Sequence, residues 1–440
     1  MSERRKILEL FEKQRDYTES RINSGIELYR KGFGYITVKD KDGNPVKNVK
    51  IKAKQKNHEF RFGANLFMLD ELETAEKNEI YKERFADVFN MATLPFYWDA
   101  TEPEEGKTRY AKDAPKLYRR PPIDLCIEFC KKHGIEPREH ALAYENFFPK
   151  WLYNATVPEV KKALEKRYAE ISERYKDKIP TIEVTNEMLW QTQKTSFYNQ
   201  NDYVSWCFKL AEKYFPANTL CINEAVLFAW DGVGNCNDQY YSYINSNIRQ
   251  GARVDAIGMQ YHMFFGAENE YDATRPYYNP EKLYKHMDLY AQFGKPLHIT
   301  EITIPAYSWK EEDEEIQAEI IEKLYSIWFS HPNVEQIIYW NVVDGYAAFA
   351  PMGDMTAGEN QYHGGLLRFD MTPKKANYTI KDLIQNKWHT ETELAIADDG
   401  TACFKGFYGD YDLQIEADGK LIEKTVNLYS KGKNKFEIIL

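Results

Sequence analysis

The chain has 440 residues, of which 43% are hydrophobic and 29% charged, and it carries a formal net charge of −10. That length allows an extensive core without cross-links, so we expect one large domain with small additions. The acidic balance argues against nucleic acid as a partner. No stretch approaches the ~20 apolar residues of a membrane span, which argues against a membrane partner. Nothing in the sequence specifies an oligomeric state.

The cysteines and the first residues bear on the cellular compartment. The six cysteines show neither a CxxC pair nor a zinc-binding spacing, so we expect free buried thiols and a reducing compartment. Residues 1–17 contain no apolar run of signal-peptide length. We therefore expect a cytoplasmic protein from the sequence as written, and a secreted one if a leader has been removed.

The first 57 residues form the first predicted unit. Residues 1–31 place apolar side chains on one side and charges elsewhere, which predicts a helix. The next stretch alternates apolar and polar residues around a turn at Asp42-Gly43, which predicts a β-hairpin. We assign residues 1–57 to an N-terminal helix and β-hairpin extension.

Residues 58–387 follow a different pattern, in which short apolar runs alternate with charged, helix-like stretches. Alternating strands and helices indicate either a closed barrel or a doubly wound sheet. No glycine-rich phosphate-binding loop follows any run, and eight runs favour the barrel. We therefore predict an α/β fold with a (β/α)8 TIM barrel. The predicted strands lie in residues 58–67, 88–98, 138–145, 179–188, 219–227, 254–263, 296–304 and 334–344.

Residues 388–440 are predicted to form a small C-terminal module rich in β-strands. Short alternating runs are separated by turn signals at Asp399-Gly400, Asp418-Gly419 and Lys431-Gly432. This pattern is typical of an antiparallel, β-sandwich-like unit. We favour a structural role against the barrel over a role in binding polysaccharide.

Polar side chains end most of the predicted strands, where a barrel gathers its active site. Charged groups at these places are costly unless they are paired or catalytic. Glu187 and Glu301, on the fourth and seventh strands, are expected to face each other with their carboxyls about 5 Å apart, the spacing of a retaining glycosidase. The strand-end candidates are Trp98, Asp99, His140, Tyr144, Glu145, Asn186, Glu187, Asn223, Glu224, Gln260, His262, Glu301, Trp340, Asn341 and Asp344.

Metal catalysis is the competing interpretation of the histidines. His140, His262 and His298 could form a metal site with a glutamate, but barrel metal sites usually contain an HxH pair, and the sequence has none. We therefore predict no metal and no cofactor. His262 is better suited to hold the charge of Glu301 and to adjust its protonation.

Seven segments, in this order, resemble glycoside hydrolase family 10, which consists mainly of endo-β-1,4-xylanases. The resemblance covers about residues 58–388. It implies a TIM barrel with Glu187 as the acid/base, Glu301 as the nucleophile, and substrate contacts from Trp98, His140, Tyr144, Glu145, Asn186, Gln260, His262 and Trp340. The segments are WDATEPEEGK (98–107), REHALAYENFFPKWL (138–152), VTNEM (184–188), INEAVLF (222–228), DAIGMQYHM (255–263), ITEITI (299–304) and GLLRFDMTPK (365–374).

The resemblance implies a role for each of the main contacts in the subsite of the cleaved sugar, called −1. Asn186 would bind the sugar 2-hydroxyl, and Gln260 and His262 would orient the nucleophile. His140 would touch the sugar, and Trp340 would form the apolar floor of the subsite.

Several positions differ from the family pattern. Tyr97 replaces a lysine that holds the next sugar, in subsite −2, and the usual Glu-Asn pair after the second strand is missing. Tyr144-Glu145 replaces a Trp-His pair, and Thr303 replaces an aspartate beside His262. We therefore expect subsite −2 either to bind xylose weakly or to admit a different or decorated sugar. In either case, polymeric xylan should be a poorer substrate than short, substituted or aryl xylosides.

The sequence therefore predicts a retaining hydrolase of β-1,4-xylosidic bonds that acts on xylan or xylo-oligosaccharides. One alternative keeps the barrel and its carboxylates but changes the substrate to another β-glycan or to a decorated or short oligosaccharide. Another alternative is a non-catalytic carbohydrate-binding barrel, which the presence of both glutamates and Asn186 disfavours.

Overall fold

The helices and strands of the chain were located in a computed structural model, which describes residues 4–190, 194–417 and 419–440. The α-helices are α1 (Glu9–Lys13), α2 (Arg15–Tyr29), α3 (Ala75–Val88), α4 (Trp98–Thr101), α5 (Ile123–His133), α6 (Val157–Tyr175), α7 (Tyr203–Tyr214), α8 (Val226–Ala229), α9 (Gln239–Arg249), α10 (Glu270–Thr274), α11 (Pro280–Ala291), α12 (Glu311–Ser330) and α13 (Lys375–Asp382). The strands are β1 (Lys31–Lys39), β2 (Lys50–His58), β3 (Arg61–Asn65), β4 (Met91–Pro95), β5 (Glu136–His140), β6 (Thr181–Asn186), β7 (Thr219–Glu224), β8 (Ala256–His262), β9 (Leu297–Thr303), β10 (Val334–Tyr339), β11 (Glu391–Ala395), β12 (Thr401–Phe407), β13 (Gly409–Ala417), β14 (Lys420–Leu428) and β15 (Lys435–Ile439).

Eight parallel strands close into a barrel in the order β10-β3-β4-β5-β6-β7-β8-β9. Each strand is followed by at least one helix before the next strand begins. Every residue of β6 and of β9 is buried. This is expected because one face of each strand points into the packed barrel interior and helices cover the other face. The predicted (β/α)8 TIM barrel and its eight strand segments are confirmed.

The terminal segments of the chain combine into two further sheets. One sheet has the order β12-β1-β15, and the other has the order β11-β2-β13-β14. Side chains from both sheets share a core that includes Ile36, Val38, Ile51 and Leu413. The β-rich character predicted for residues 388–440 is confirmed, but this sandwich also contains strands from the N-terminal extension.

The predicted β1–β2 hairpin is wrong. A tight turn is present at Asp40–Asn44, but β1 pairs with β12 and β15, whereas β2 pairs with β11 and β13. The ten-residue connection lets the two strands enter different sheets, each completed by strands from the other end of the chain. Alternating polarity identifies a strand but not its partner. Of the predicted C-terminal turns, Asp418 lies outside the described residues.

The N-terminal helical prediction is confirmed for residues 4–29, as a 3-10 turn followed by α1 and α2, and residues 1–3 lie outside the described residues. Gly25 of α2 lies directly against α12, where a Cβ atom would approach the Ser330 carbonyl oxygen to 2.3 Å. Gly25 therefore permits close packing of α2 on the barrel. Across the described residues, no helix combines the length and the apolar character required to span a membrane.

Candidate active site

A cleft of about 530 Å³ opens at the carboxyl ends of the barrel strands. This is the end at which α/β barrels carry their active sites. His140 and Asn186 are fully buried and lie outside its lining. Six of the ten sequence-predicted site residues line the cleft: Tyr144, Glu187, Gln260, His262, Glu301 and Trp340.

A single amide nitrogen connects the two candidate catalytic carboxylates. Gln260 Nε2 lies 3.1 Å from Glu187 Oε1 and 3.0 Å from Glu301 Oε1. Those two oxygens are therefore no more than about 6 Å apart, which is below the ~6.5–9.5 Å separation of inverting glycosidases and compatible with a retaining mechanism. The expected meeting of Glu187 and Glu301 at one cleft is present.

The Glu301 carboxylate is held by donors on three sides. Asn223 Nδ2 donates to Glu301 Oε1 at 2.9 Å, and His262 Nε2 lies 3.2 Å from Oε2. Thr300 Oγ1 donates to Asn223 Oδ1 at 2.7 Å, which orients the amide so that its NH2 group faces Glu301. Together with Gln260, these contacts fix the direction of the carboxylate and leave little rotational freedom.

The surroundings of Glu187 favour its protonated form. Burial and the nearby charge of Glu301 raise the pKa of Glu187, and these effects outweigh the hydrogen bonds that it accepts from Tyr144 and Gln260. Tyr144 Oη donates to Glu187 Oε2 at 2.5 Å. A carboxyl with a raised pKa beside a carboxylate held by several donors is the arrangement that acid/base catalysis requires.

Beneath the cleft, a buried network supports the site. Arg138 donates to Glu183, whose Oε1 lies 2.8 Å from His140 Nδ1. Burial by itself would raise the pKa of Glu183, but the charges of Arg138 and His140 outweigh it and lower that pKa. On its other side, His140 Nε2 lies 3.1 Å from Tyr97 Oη. The network fixes the ring of His140 between Glu183 and the cleft wall.

One cluster in this network has the spacing of a metal site. The nearest ligand atoms of His140, Glu183 and Glu301 lie within 4.8 Å of one another. However, Glu183 already pairs with the Arg138 guanidinium, and a cation beside Arg138 would meet electrostatic repulsion. This charge compensation favours a supporting role for the cluster over metal binding.

Comparison with known proteins bears directly on this barrel and its paired carboxylates. The family model described as glycosyl hydrolase family 10 matches residues 48–381, about three quarters of the chain. The chain belongs to glycosyl hydrolase family 10.

Individual relatives of this family 10 chain are distant. Endo-1,4-beta-xylanase 2 of Arabidopsis thaliana is 23% identical over 98% of this chain and 37% of the relative. Anti-sigma-I factor RsgI6 of Acetivibrio thermocellus is 25% identical over 90% of this chain and 46% of the relative. The chain therefore spans less than half the length of these curated relatives. Xylanase 10B from Thermotoga petrophila RKU-1, solved in complex with xylobiose, shares the barrel fold with a TM-score of 0.57 and 21% identity over 75% of this chain and 95% of that chain.

Two of the predicted substrate contacts in this family 10 barrel are not supported by their placement. Trp98 is buried, donates from Nε1 to Glu102 Oε2 at 2.9 Å, and packs on Phe148. Glu145 is also buried, and it accepts a hydrogen bond from the Thr195 backbone N–H. Neither residue lines the cleft. The chain enters α4 at Trp98, which turns that ring away from the cleft and leaves the preceding Tyr97 in the lining.

Two of the remaining strand-end candidates, Glu224 and Asp344, hold the loops around the family 10 site. Glu224 accepts backbone N–H groups of Leu189 and Ala225, at 3.0 and 2.8 Å, just beyond Glu187. Burial raises the pKa of Glu224 to about 8. Asp344 accepts a hydrogen bond from Trp309 Nε1 at 2.8 Å. These carboxyls act on loop geometry and do not line the cleft.

Sequence reasoning missed several residues of the cleft because loops supply them. Arg119 and Arg120 come from the long connection between α4 and α5, which no strand pattern or family motif marks. An apolar wall comes from connections after β6 to β8 and from beyond β10. Its members are Trp190, Val226, Leu227, Phe264, Phe265, Phe349 and Tyr362.

Proposed function

We propose that the protein is a retaining glycoside hydrolase that cleaves β-1,4-xylosidic bonds in xylan or xylo-oligosaccharides. The supporting observation is the pair of buried carboxylates, Glu187 and Glu301, bridged by one nitrogen of Gln260 inside a sugar-sized cleft. Family membership supports the reaction class, and the xylanase names of relatives and the xylobiose complex of one of them support xylose-based substrates.

The two glutamates take different roles in this mechanism. Glu187 protonates the glycosidic oxygen, while Glu301 attacks the anomeric carbon and the bond to the leaving group breaks. Glu187, now a carboxylate, then takes a proton from a water molecule. That water attacks the anomeric carbon, releases Glu301 and leaves the configuration retained.

Two further residues, Asn186 and Trp340, are assigned to the sugar in subsite −1. Asn186 Oδ1 accepts hydrogen bonds from Asn223 and Gln260, whereas its buried Nδ2 has no partner among the described residues. A buried donor without a partner is costly, so we assign Nδ2 to the sugar 2-hydroxyl. Trp340 supplies an apolar floor, and its ring centroid lies 5.2 Å from that of His140.

Hydrolysis of an aryl β-xylobioside followed by proton NMR tests this function. The first reducing sugar released should be the β-anomer, because two inversions at the anomeric carbon restore the starting configuration. Initial release of the α-anomer would contradict the retaining mechanism, and no release of phenol would contradict the proposed activity. Linear xylan should have a lower kcat/KM than the aryl xylobioside, because the Glu-Asn pair of subsite −2 is missing and Tyr97 stands in place of the lysine of that subsite.

The pH profile should depend on Tyr144. Its hydroxyl donates to Glu187 and stabilises the carboxylate form, so Tyr144→Phe should raise the pKa of Glu187 further. Activity that needs protonated Glu187 is present below this pKa and is lost as the pH rises through it. The alkaline limb of kcat/KM should therefore move to higher pH by about one unit.

The matched control for this shift is Tyr378→Phe, which changes an exposed tyrosine of α13 outside the cleft. Its alkaline limb should coincide with that of the unchanged protein when both are measured on an aryl xyloside. An alkaline limb of Tyr144→Phe that stays in place or moves to lower pH would contradict the assignment of Glu187 as the acid.

A further inference from the structure

Two adjacent arginines, Arg119 and Arg120, line the cleft. Among the described residues, no carboxylate lies within the 4.0 Å ion-pair distance of either guanidinium. Carboxylates outnumber basic groups in this acidic protein and could pair with arginines. Two guanidinium groups without an ion-pair partner in a concave site are therefore unexpected. A ligand with a negative charge would complete the arrangement.

Arg120 is held by aromatic rings rather than by acids. Its guanidinium carbon lies 3.9 Å from the ring centroid of Tyr97 and 5.6 Å from those of Phe67 and Phe147. Nη1 donates to the Arg119 carbonyl oxygen at 2.9 Å. A guanidinium has five N–H donors, so this stacked arrangement leaves a preoriented set of donors for a bound molecule.

Arg119 anchors the pair to the segment that follows β10. Its guanidinium donates to the Tyr346 carbonyl oxygen and, from Nη2 at 3.3 Å, to Asn341 Oδ1. Its Nε is buried and has no hydrogen-bond partner in the described residues. The backbone of Arg119 has a positive φ of 62°, which an ordinary residue adopts only at a cost. The local structure therefore maintains both guanidinium groups beside the sugar site.

The electrostatic balance also points to an acidic ligand. Burial lowers the pKa of Arg120, because charge is unfavourable in a desolvated place. Glu359 lines the cleft and opposes this effect, but it is bonded to Asn341 Nδ2 at 2.9 Å and forms no ion pair with the arginines. Asp99 also opposes it from beyond the cleft lining. Neither carboxylate compensates the guanidinium directly.

The location of the pair identifies which part of a substrate it would meet. Tyr97, beneath Arg120, is the residue that replaces the lysine of subsite −2, and its hydroxyl reaches His140 beside subsite −1. We propose that Arg120, anchored by Arg119, binds the carboxylate of a uronic acid attached to the xylose on the non-reducing side of the cleaved bond. This inference rests on the proposed hydrolysis of β-1,4-xylosidic bonds, and it names an acidic xylo-oligosaccharide as the substrate class.

Three substrates separate the effect of the negative charge from the effect of the branch itself. We would compare an aryl xylobioside, the same compound with a glucuronic acid branch on the non-reducing xylose, and the methyl ester of that branch. The free acid should have a kcat/KM about 10- to 100-fold above that of its ester, because charge-assisted bonds to guanidinium are the stronger ones. This ratio should fall as the salt concentration rises.

Variants of Arg120 test whether this residue causes the preference for the acid over the ester. Arg120→Gln should bring the acid-to-ester ratio close to one, and Arg120→Lys should keep an intermediate ratio because a point charge replaces the bidentate fork. Arg174→Gln is the matched control, since it removes an exposed arginine that pairs with Asp124 and lies outside the cleft lining, and it should keep the original ratio.

Two outcomes separate this inference from the proposed function. Equal kcat/KM for acid and ester, together with hydrolysis of the neutral xylobioside, would overturn the acidic substrate and leave the function intact. If no xyloside is hydrolysed, calorimetric binding of acid and ester to Glu301→Gln still decides the inference. Tighter binding of the acid would support it, and equal binding would overturn it.

Discussion

Replacing Glu301 by alanine is expected to lower kcat on an aryl xylobioside on the order of 10⁵-fold, the scale seen when a nucleophile is removed. The fold is expected to be unaffected, because Asn223, Gln260 and His262 lose only an acceptor that water can replace in the open cleft. The loss should appear in kcat at all pH values. Continuous measurement of phenol release checks it.

A small anion should restore part of the activity of Glu301→Ala. Azide that occupies the vacated space attacks the anomeric carbon from the face used by Glu301, so the product should be the α-xylosyl azide. Glu173→Ala is a matched control, since Glu173 is an exposed glutamate of α6 outside the cleft, and it should keep full activity. Unchanged hydrolysis by Glu301→Ala would show that the nucleophile is a different residue.

Replacing Glu187 by alanine is expected to have the second largest effect, and its size should depend on the leaving group. Poor leaving groups need the proton of Glu187, so their kcat/KM should fall about 10²- to 10⁴-fold. A dinitrophenyl xylobioside leaves without protonation and should form the glycosyl-enzyme almost normally. The second step then lacks its base, and the covalent intermediate should accumulate and be visible by mass spectrometry of the intact protein.

Azide distinguishes Glu187 from Glu301 by the configuration of the product. In Glu187→Ala it attacks the glycosyl-enzyme from the face opposite Glu301, so the product should be the β-xylosyl azide. A loss of activity that is independent of the leaving group would contradict the acid/base role. Formation of α-azide in this variant would mean that the two roles are reversed.

Much of the barrel and of its central pair could be predicted from the sequence. The eight parallel strands are apolar segments at the spacing of βα units, and this local signal survives because parallel barrel strands are buried on both faces. Glu187 directly follows such a strand and Glu301 lies within one, and a buried charge at these places is costly without a function. Their motifs also resemble a known family, so fold, family and candidate pair were all accessible without coordinates.

The pairing of the terminal strands and the direction of side chains near the cleft were decided only by the tertiary structure. The turn after β1 was a correct local prediction, yet β1 and β2 find their partners at the far end of the chain, because alternating polarity specifies a face and not a partner. Similarly, the pattern placed Trp98 in the site, whereas the start of α4 directs Tyr97 into the cleft and buries Trp98.

Arg119 and Arg120 show that sequence patterns also fail to predict tertiary contacts at the active site itself. Arg119 and Arg120 lie in an irregular connection, where sequence spacing carries no information about direction, and their place in the cleft depends on contacts with Tyr97, Asn341 and Tyr346. The sequence determined the barrel and the two carboxylates, because these follow from local periodicity and from the cost of buried charge. The tertiary structure decided the walls of the cleft, because long-range packing alone brings loop side chains together.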